Sequence, residues 1–368
     1  MRPLEIVVLP GDGIGPEVIA EAVRVLDWFV AKRGVPLRMT HHLFGAAAWA
    51  AEGTTMPGAT WDAIMAADAL LFGATGSLDQ QHIPPEERRR GALLTIRRAL
   101  DVFANLRPVR AFAPLADVSP FKPRTVAGVD LVFVRELTAG VYFGTPRGIE
   151  TLPDGSRRGL NTHSYTEAEI ARVARFAFAL ARTRRGHVTS VDKANVMEAG
   201  RLWREVVDAV HAAEFADVTL EHMLADTCAL QLGRAPGRFD VILTDNLFGD
   251  LLSDCAGAIN GSLGMLPSAA LSAPDAAGRR RALYEPIHGS APDIAGRGIA
   301  NPLGAILSAA LLLRWTARAP EEADRLEAAV GAALAAGART ADIALPGEPV
   351  LGTRAMGDAV LAALEAGP

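Results

Sequence analysis

Residues 4–18, LEIVVLPGDGIGPEV, join a short apolar run to a glycine-rich turn and then to a proline that opens a run of helix formers. The segment Leu4 to Leu9 is too short for a buried helix and rich in β-branched residues, so it reads as a buried strand. Pro16 suits the first turn of a helix, where its fixed φ is pre-set and its missing N–H removes nothing; the helical pattern continues to Val30. Between them lies Gly11-Asp12-Gly13-Ile14-Gly15. It does not satisfy G-x-G-x-x-G, because position 16 is proline, so the standard Rossmann fingerprint is absent. What remains is a tight strand-to-helix turn.

The same alternation recurs outward from this segment. Ala69 to Phe72, Val129 to Val134, His187 to Val191 and Phe239 to Thr244 are short buried runs, each beside a helical pattern. A helix over Glu167 to Arg182 opens with Thr166 and Glu169 at capping-box spacing, where hydroxyl and carboxylate satisfy free N–H groups. Repetition of strand and helix predicts an α/β protein. Gly144 to Arg158, with Pro146, Gly148, Pro153 and Gly155, interrupts the pattern, and a loop or protruding hairpin belongs there. The Ala-rich C-terminal third reads as small-residue helix packing.

The chain has 368 residues, 50% hydrophobic and 21% charged, enough for two domains with separate cores. No uninterrupted apolar stretch reaches the ~20 residues that cross a bilayer. The N-terminus lacks the features of a secretory signal, and Cys228 and Cys255 offer neither a disulfide framework nor zinc spacing. A reducing, cytoplasmic setting with no membrane partner is the expectation. A net charge of -5 argues against a nucleic-acid partner, although Arg88, Arg89 and Arg90 form a local cluster able to hold small anions.

Four groups of residues carry chemistry. In VILTDNLFGDLLSDCAGAIN, residues 241–260, a strand runs into a helix whose Asp250 and Asp254 project one turn apart from one face. Two carboxylates so close need positive compensation, from a neighbouring arginine or lysine or from a hard cation such as Mg²⁺ or Mn²⁺. Arg97, Arg107 and Arg135 could grip small dicarboxylates, and Leu93 and Leu94 beside Arg97 would suit a ligand with one apolar end. Lys193 and Asn195 follow a strand, and Lys193 with Tyr142 could act as base and acid. In HGSAPDIAGRGIANP, residues 288–302, small residues let the backbone approach a ligand closely, and Asp293 could accept hydrogen bonds from a ribose.

Taken together, GDGIGPEV, LLTIRRALDVFANLRP, VRELTAGVYFG, SVDKANV, NLFGDLLSD and HGSAPDIAGRGIANP resemble the isocitrate/isopropylmalate, or β-decarboxylating, dehydrogenase family over nearly the whole chain. The resemblance implies a two-domain, non-Rossmann α/β fold whose first domain is discontinuous. We place that domain at residues 1–102 plus 261–368, and the second at 103–260 with an arm near 144–162. It further implies a homodimer with active sites shared across the interface, and oxidation plus decarboxylation of a 3-alkylmalate with NAD and Mg²⁺ or Mn²⁺. Arg97, Arg107 and Arg135 would then hold the malate carboxylates, with Asn195 nearby. Leu93, Leu94 and Val196 would face the alkyl group. Asp250 and Asp254 would hold the metal together with Asp226 from the other subunit. Lys193, also crossing the interface, would be the base and Tyr142 the acid. Gly76, Glu285, His288, Gly289, Ser290, Ala291, Asp293, Ile294 and Asn301 would line the cofactor site. The stretch GATGSLDQQHIPPEERRRG departs from the family's usual Gly-Gly-Pro-Lys-Trp run. The expected substrate is 3-isopropylmalate, with D-malate, tartrate or another 3-alkylmalate as the alternative, and a non-catalytic binding relative as the remote one.

Overall fold

The computed structural model describes residues 2–76 and 82–367, so part of the departing stretch at 73–91, residues 77–81, lies outside the described residues. From the N-terminus the elements are β1 (Leu4–Gly11), α1 (Gly15–Arg33), β2 (Leu37–His41), α2 (Gly45–Glu52), α3 (Gly58–Ala66), β3 (Ala69–Ala74), α4 (Pro85–Arg90) and α5 (Leu93–Ala99). Next come β4 (Ala104–Arg110), α6 (Pro123–Val126), β5 (Asp130–Glu136), β6 (Gly144–Thr151), β7 (Arg157–Thr162), α7 (Glu167–Arg182), β8 (His187–Asp192) and α8 (Glu198–Glu214). The rest comprises β9 (Thr219–Leu224), α9 (Ala225–Arg234), β10 (Val241–Thr244), α10 (Asn246–Ala256), β11 (Pro267–Leu271), β12 (Ala282–Pro286), α11 (Leu303–Trp315), α12 (Pro320–Ala335) and α13 (Thr353–Ala366). Among the described residues no helix is long and apolar enough to cross a membrane.

These elements form two compact units. The first contains residues 1–102, 110–128 and 257–368. Its strands lie in the order β2-β1-β3-β12-β11, parallel except that β11 runs against β12. Every residue of β3 is buried, as its unbroken apolar run requires. α1 buries Val18, Ile19, Ala22, Val25, Leu26 and Phe29 along one stripe, and it runs past Val30 until Gly34, in the left-handed conformation, stops it. α11 is buried on all sides from Leu303 to Leu313, so this uniformly apolar helix is the middle of the unit's core. Each fully buried leucine or isoleucine there contributes about 1.5–3 kcal/mol.

The second unit contains residues 103–109 and 129–256, with strand order β4-β5-β10-β8-β9. The pairs β5/β10, β10/β8 and β8/β9 are parallel, so their carboxyl ends share one edge. Thr244 at the end of β10 sits between Arg135 on β5 and Val191 on β8. Ligands of parallel sheets bind beyond such ends. Phe239 stays out of β10 because Pro236–Arg238 form a 3-10 turn that takes up its N–H. The capping box at α7 is complete: Thr166 Oγ1 accepts from the Glu169 N–H at 3.3 Å, and Glu169 accepts from the Thr166 N–H at 2.8 Å. The turn-rich segment after Tyr142 is a hairpin, β6 against β7, almost entirely exposed.

Candidate active site

In the second unit the buried carboxyl ends of the strands converge on α10. Arg135, 2% exposed, is the next-to-last residue of β5. A guanidinium buried so deeply needs its donors satisfied, since an uncompensated buried charge costs several kcal/mol. Its Nε and Nη2 donate to Asn246 Oδ1 at 3.0 and 2.6 Å, and its Nη1 donates to Asp250. Arg107, on β4, donates to Asn105 at 2.9 Å, Ser253 Oγ at 2.7 Å and Asp254 at 3.1 Å, and meets Asp250 at 3.2 Å. Gly249 makes this approach possible: a Cβ there would lie 2.6 Å from Arg135 Cγ.

Asp250 is thus held between two arginines, and its second oxygen accepts the Tyr142 hydroxyl at 2.8 Å. Burial, reinforced by this carboxylate, raises the Tyr142 pKa above the ordinary phenol value, so the hydroxyl keeps its proton at neutral pH. Tyr142 lies in a single 3-10 turn, Gly140–Tyr142, and not at a strand end. Fully buried Glu136 shapes that turn by accepting N–H bonds from Thr138 and Ala139, each at 2.9 Å. Asp254, next on the helix face, is half-exposed, and its pKa is raised by burial in spite of Arg107. The compensation the acid pair requires therefore comes, within this chain, from Arg107 and Arg135.

Lys193 follows β8 and pairs with Asp226 on the first turn of α9 at 2.6 Å, and the hydrogen bond from the ammonium lowers the Asp226 pKa. Asn195 and Val196 are exposed beside them. One chain does not bring Asp226 to Asp250 and Asp254: among the described residues, no three His, Cys, Asp or Glu side chains gather as a metal site.

The first unit holds the other expected residues. Arg97 on α5 pairs with Glu285 on β12 at 2.6 Å, both nearly buried, so an expected substrate ligand is tied to an expected cofactor residue. Leu93, Leu94, Ile83, Thr75 and Gly76 line a cavity of about 290 Å³. The Gly11–Gly15 turn touches the 288–302 loop: Ile14 N–H donates to Ser290 O at 2.8 Å, and a Cβ on Gly13 would sit 2.0 Å from that oxygen. Glycine is obligatory there. Ala291 adopts a positive φ of 39°, with Gly289 and Asp293 exposed on either side of it and Ile294 half-buried. His288 is nearly buried with Nδ1 on Gly289 O at 2.9 Å; burial lowers its pKa, and its Nε2 has no partner among the described residues. Asn301 is anchored at both ends, donating to Asp342 at 3.1 Å and accepting from the Leu303 N–H at 3.0 Å.

Two organising residues escape a reading of the sequence. Asp12 accepts from the N–H groups of Ala46, at 2.9 Å, and Gly76, at 3.1 Å, so it fixes the start of α2 and the end of the β3 turn together. Asn246 orients Arg135 while its own N–H donates to Tyr165 Oη at 2.9 Å. Position alone offered one signal for each, a polar residue within two positions of the end of a buried strand.

Residues 5–360 match the isocitrate/isopropylmalate dehydrogenase family. A 3-isopropylmalate dehydrogenase of Bradyrhizobium diazoefficiens is 56% identical over 98% of this chain and 96% of the relative. One from Bordetella bronchiseptica is 57% identical over 98% and 97%. The crystal structure of an isocitrate dehydrogenase from Methylococcus capsulatus superposes with a TM-score of 0.85 at 33% identity, covering 99% of both chains. With the fold, the paired acids and arginines and the whole-length match in agreement, the chain belongs to the isocitrate/isopropylmalate dehydrogenase family.

Proposed function

We propose that this enzyme oxidises the 2-hydroxyl of 3-isopropylmalate with NAD and decarboxylates the product, in a homodimer whose active sites are shared between subunits. The observation that carries the reading is Asp250 held between Arg107 and Arg135 with the Tyr142 hydroxyl on its other oxygen. This puts fixed positive charge for a dicarboxylate next to a proton donor. The names of the relatives at 56% and 57% identity support the substrate, and the aliphatic walls of Leu93, Leu94 and Ile83 suit an alkyl substituent.

Asp250 and Asp254 are hard oxygen donors one helical turn apart, a set that suits Mg²⁺ or Mn²⁺ when the remaining ligands come from substrate and Asp226 of the partner subunit. When bound, the cation would supply Lewis-acid polarisation of the 2-hydroxyl oxygen and NAD would supply a hydride acceptor. The chain's own groups manage protons and charge. Arg97, Arg107 and Arg135 bind the carboxylates and orient the substrate. Lys193 in its neutral amine form takes the hydroxyl proton, and Asp226, 2.6 Å away in this chain, stabilises the ammonium that results. Tyr142, kept protonated by burial and by Asp250, gives its proton to C3 after CO₂ departs. For the cofactor, Asp293 is exposed, and among the described residues its carboxylate has no hydrogen-bond donor and buried His288 Nε2 has no partner.

The test is nicotinamide reduction in the presence of Mn²⁺ with 3-isopropylmalate, D-malate, tartrate, isocitrate and homoisocitrate. The expected result is a kcat/KM for 3-isopropylmalate higher than for every other acid by about tenfold or more. A higher value for D-malate or tartrate would overturn the substrate assignment.

A further inference from the structure

At the amino ends of β1 and β3, opposite to the ends that carry Gly11 and Ala74, the first unit has a second cavity of about 420 Å³. Its wall combines Arg2, Asp68, Asp275, Arg279, Arg280 and Arg281 with little apolar surface. Among the described residues of the wall, four guanidinium groups stand beside two carboxylates, a formal excess of two positive charges. Both acids are engaged: Asp68 takes a two-pronged bond from Arg2 at 2.8 Å and also the Glu5 N–H at 2.9 Å, and Asp275 pairs with Arg279 at 2.9 Å.

The arginines stand on a rigid support. The β11–β12 connection closes with Ser272 N–H on Arg281 O at 3.0 Å and Arg281 N–H on Ser272 Oγ at 2.9 Å. Inside it, Asp275 accepts from the N–H groups of Ala277, at 2.9 Å, and Arg279, at 2.8 Å. Arg280 is half-buried, with Nη1 on Ser272 O at 2.6 Å, and burial lowers its pKa. The Arg281 guanidinium is exposed and has no carboxylate partner among the described residues. A loop fixed by its own backbone leaves only the arginine side chains to be ordered at the moment of binding.

We infer that this cleft is a binding site for a small molecule carrying two or more linked phosphate groups, separate from the catalytic residues. Guanidinium forks match phosphate oxygens in pairs. A cavity of this size takes a ligand larger than one oxyanion, and its polar wall excludes an apolar one.

Calorimetric titration of the full-length enzyme with pyrophosphate, ATP and citrate tests the inference, because each probe separates one source of negative charge. Saturable pyrophosphate binding is expected, weakened about tenfold or more in Arg281→Gln and further in Arg280→Gln/Arg281→Gln, and lowered by added salt. Arg281→Gln removes an exposed side chain that braces nothing, so its result is independent of folding. Arg175→Gln, at a residue whose one ion pair among the described residues is with Glu214 on the surface of the other unit, should bind as the natural protein does. Tighter binding of ATP than of pyrophosphate would identify a nucleotide as the preferred phosphate carrier. Absence of saturable binding, binding unchanged in Arg281→Gln and the double variant, or tighter binding of citrate than of either phosphate would overturn the proposal.

Discussion

Asp293 and Ile294 decide, on our reading, which nicotinamide cofactor is used. A carboxylate accepts hydrogen bonds from ribose hydroxyls but repels the 2′-phosphate of NADP. At ~4 Å and an effective dielectric near 20, one pair of unit charges interacts by about 4 kcal/mol, which solvent at this exposed loop reduces to about 1–3. The natural enzyme should favour NAD over NADP by roughly ten- to a hundredfold in kcat/KM, and Asp293→Lys with Ile294→Tyr should shift the ratio toward NADP. An unshifted ratio in steady-state assays removes this loop from cofactor choice. His288 gives a second test, in stability. Burial holds its folded-state pKa below the ordinary 6.5, outweighing the Gly289 carbonyl and Asp342. Above its ordinary value the ring is neutral in both states; as pH falls through 6.5 toward the lower folded value, the unfolded chain binds the proton first and stability is lost. Thermal melts from about pH 8 to about pH 5.5 should fall less steeply for His288→Gln than for the natural protein. Parallel curves would show that His288 does not titrate as its burial dictates.

The helices illustrate what a pattern of residues can and cannot announce. Removing the α7 cap with Thr166→Ala should cost about 1 kcal/mol, measured by urea unfolding, because one N-terminal N–H loses its acceptor. A change below the error of the measurement would mean that Glu169 alone holds that end. The cap, β1, β3 and the strand into α10 were legible because each is written within a few neighbouring residues as an apolar run or a fixed spacing. The same holds for the one-turn separation of Asp250 and Asp254. What the carboxylates face was not legible. Arg135 lies 115 positions before Asp250 and Arg107 lies 147 before Asp254, so only the folded chain reveals that two arginines neutralise the pair. Asp12 was passed over as a turn residue for the same reason, since the N–H groups it satisfies begin at Ala46, 34 positions on. The family motifs, read together, supplied the arginines and acids that local spacing could not.

For the whole molecule, the proposed sharing of sites makes a sharp demand. Lys193→Ala and Asp250→Asn proteins should each be inactive, yet a mixture whose subunits exchange should regain activity, because each hybrid dimer contains one site with both residues intact. Native mass spectrometry, which resolves the hybrid dimer from the two parents, establishes exchange, and initial rates establish recovery. Exchange without recovery would return Lys193 and Asp250 to the same subunit's site. The pairing of β3 with β12 has a different consequence, one that concerns how the chain is made. Leu70 and Leu71, buried in the middle of the first unit, lie beside Leu283 and Tyr284. On a ribosome, the opening strands therefore wait for more than two hundred further residues before that neighbour exists. The second unit, almost all of it encoded in between, has every strand of its own sheet available earlier. The order of translation thus gives the middle of the chain its complete set of partners first, and the first unit can close its sheet only after its distant C-terminal strands have been made.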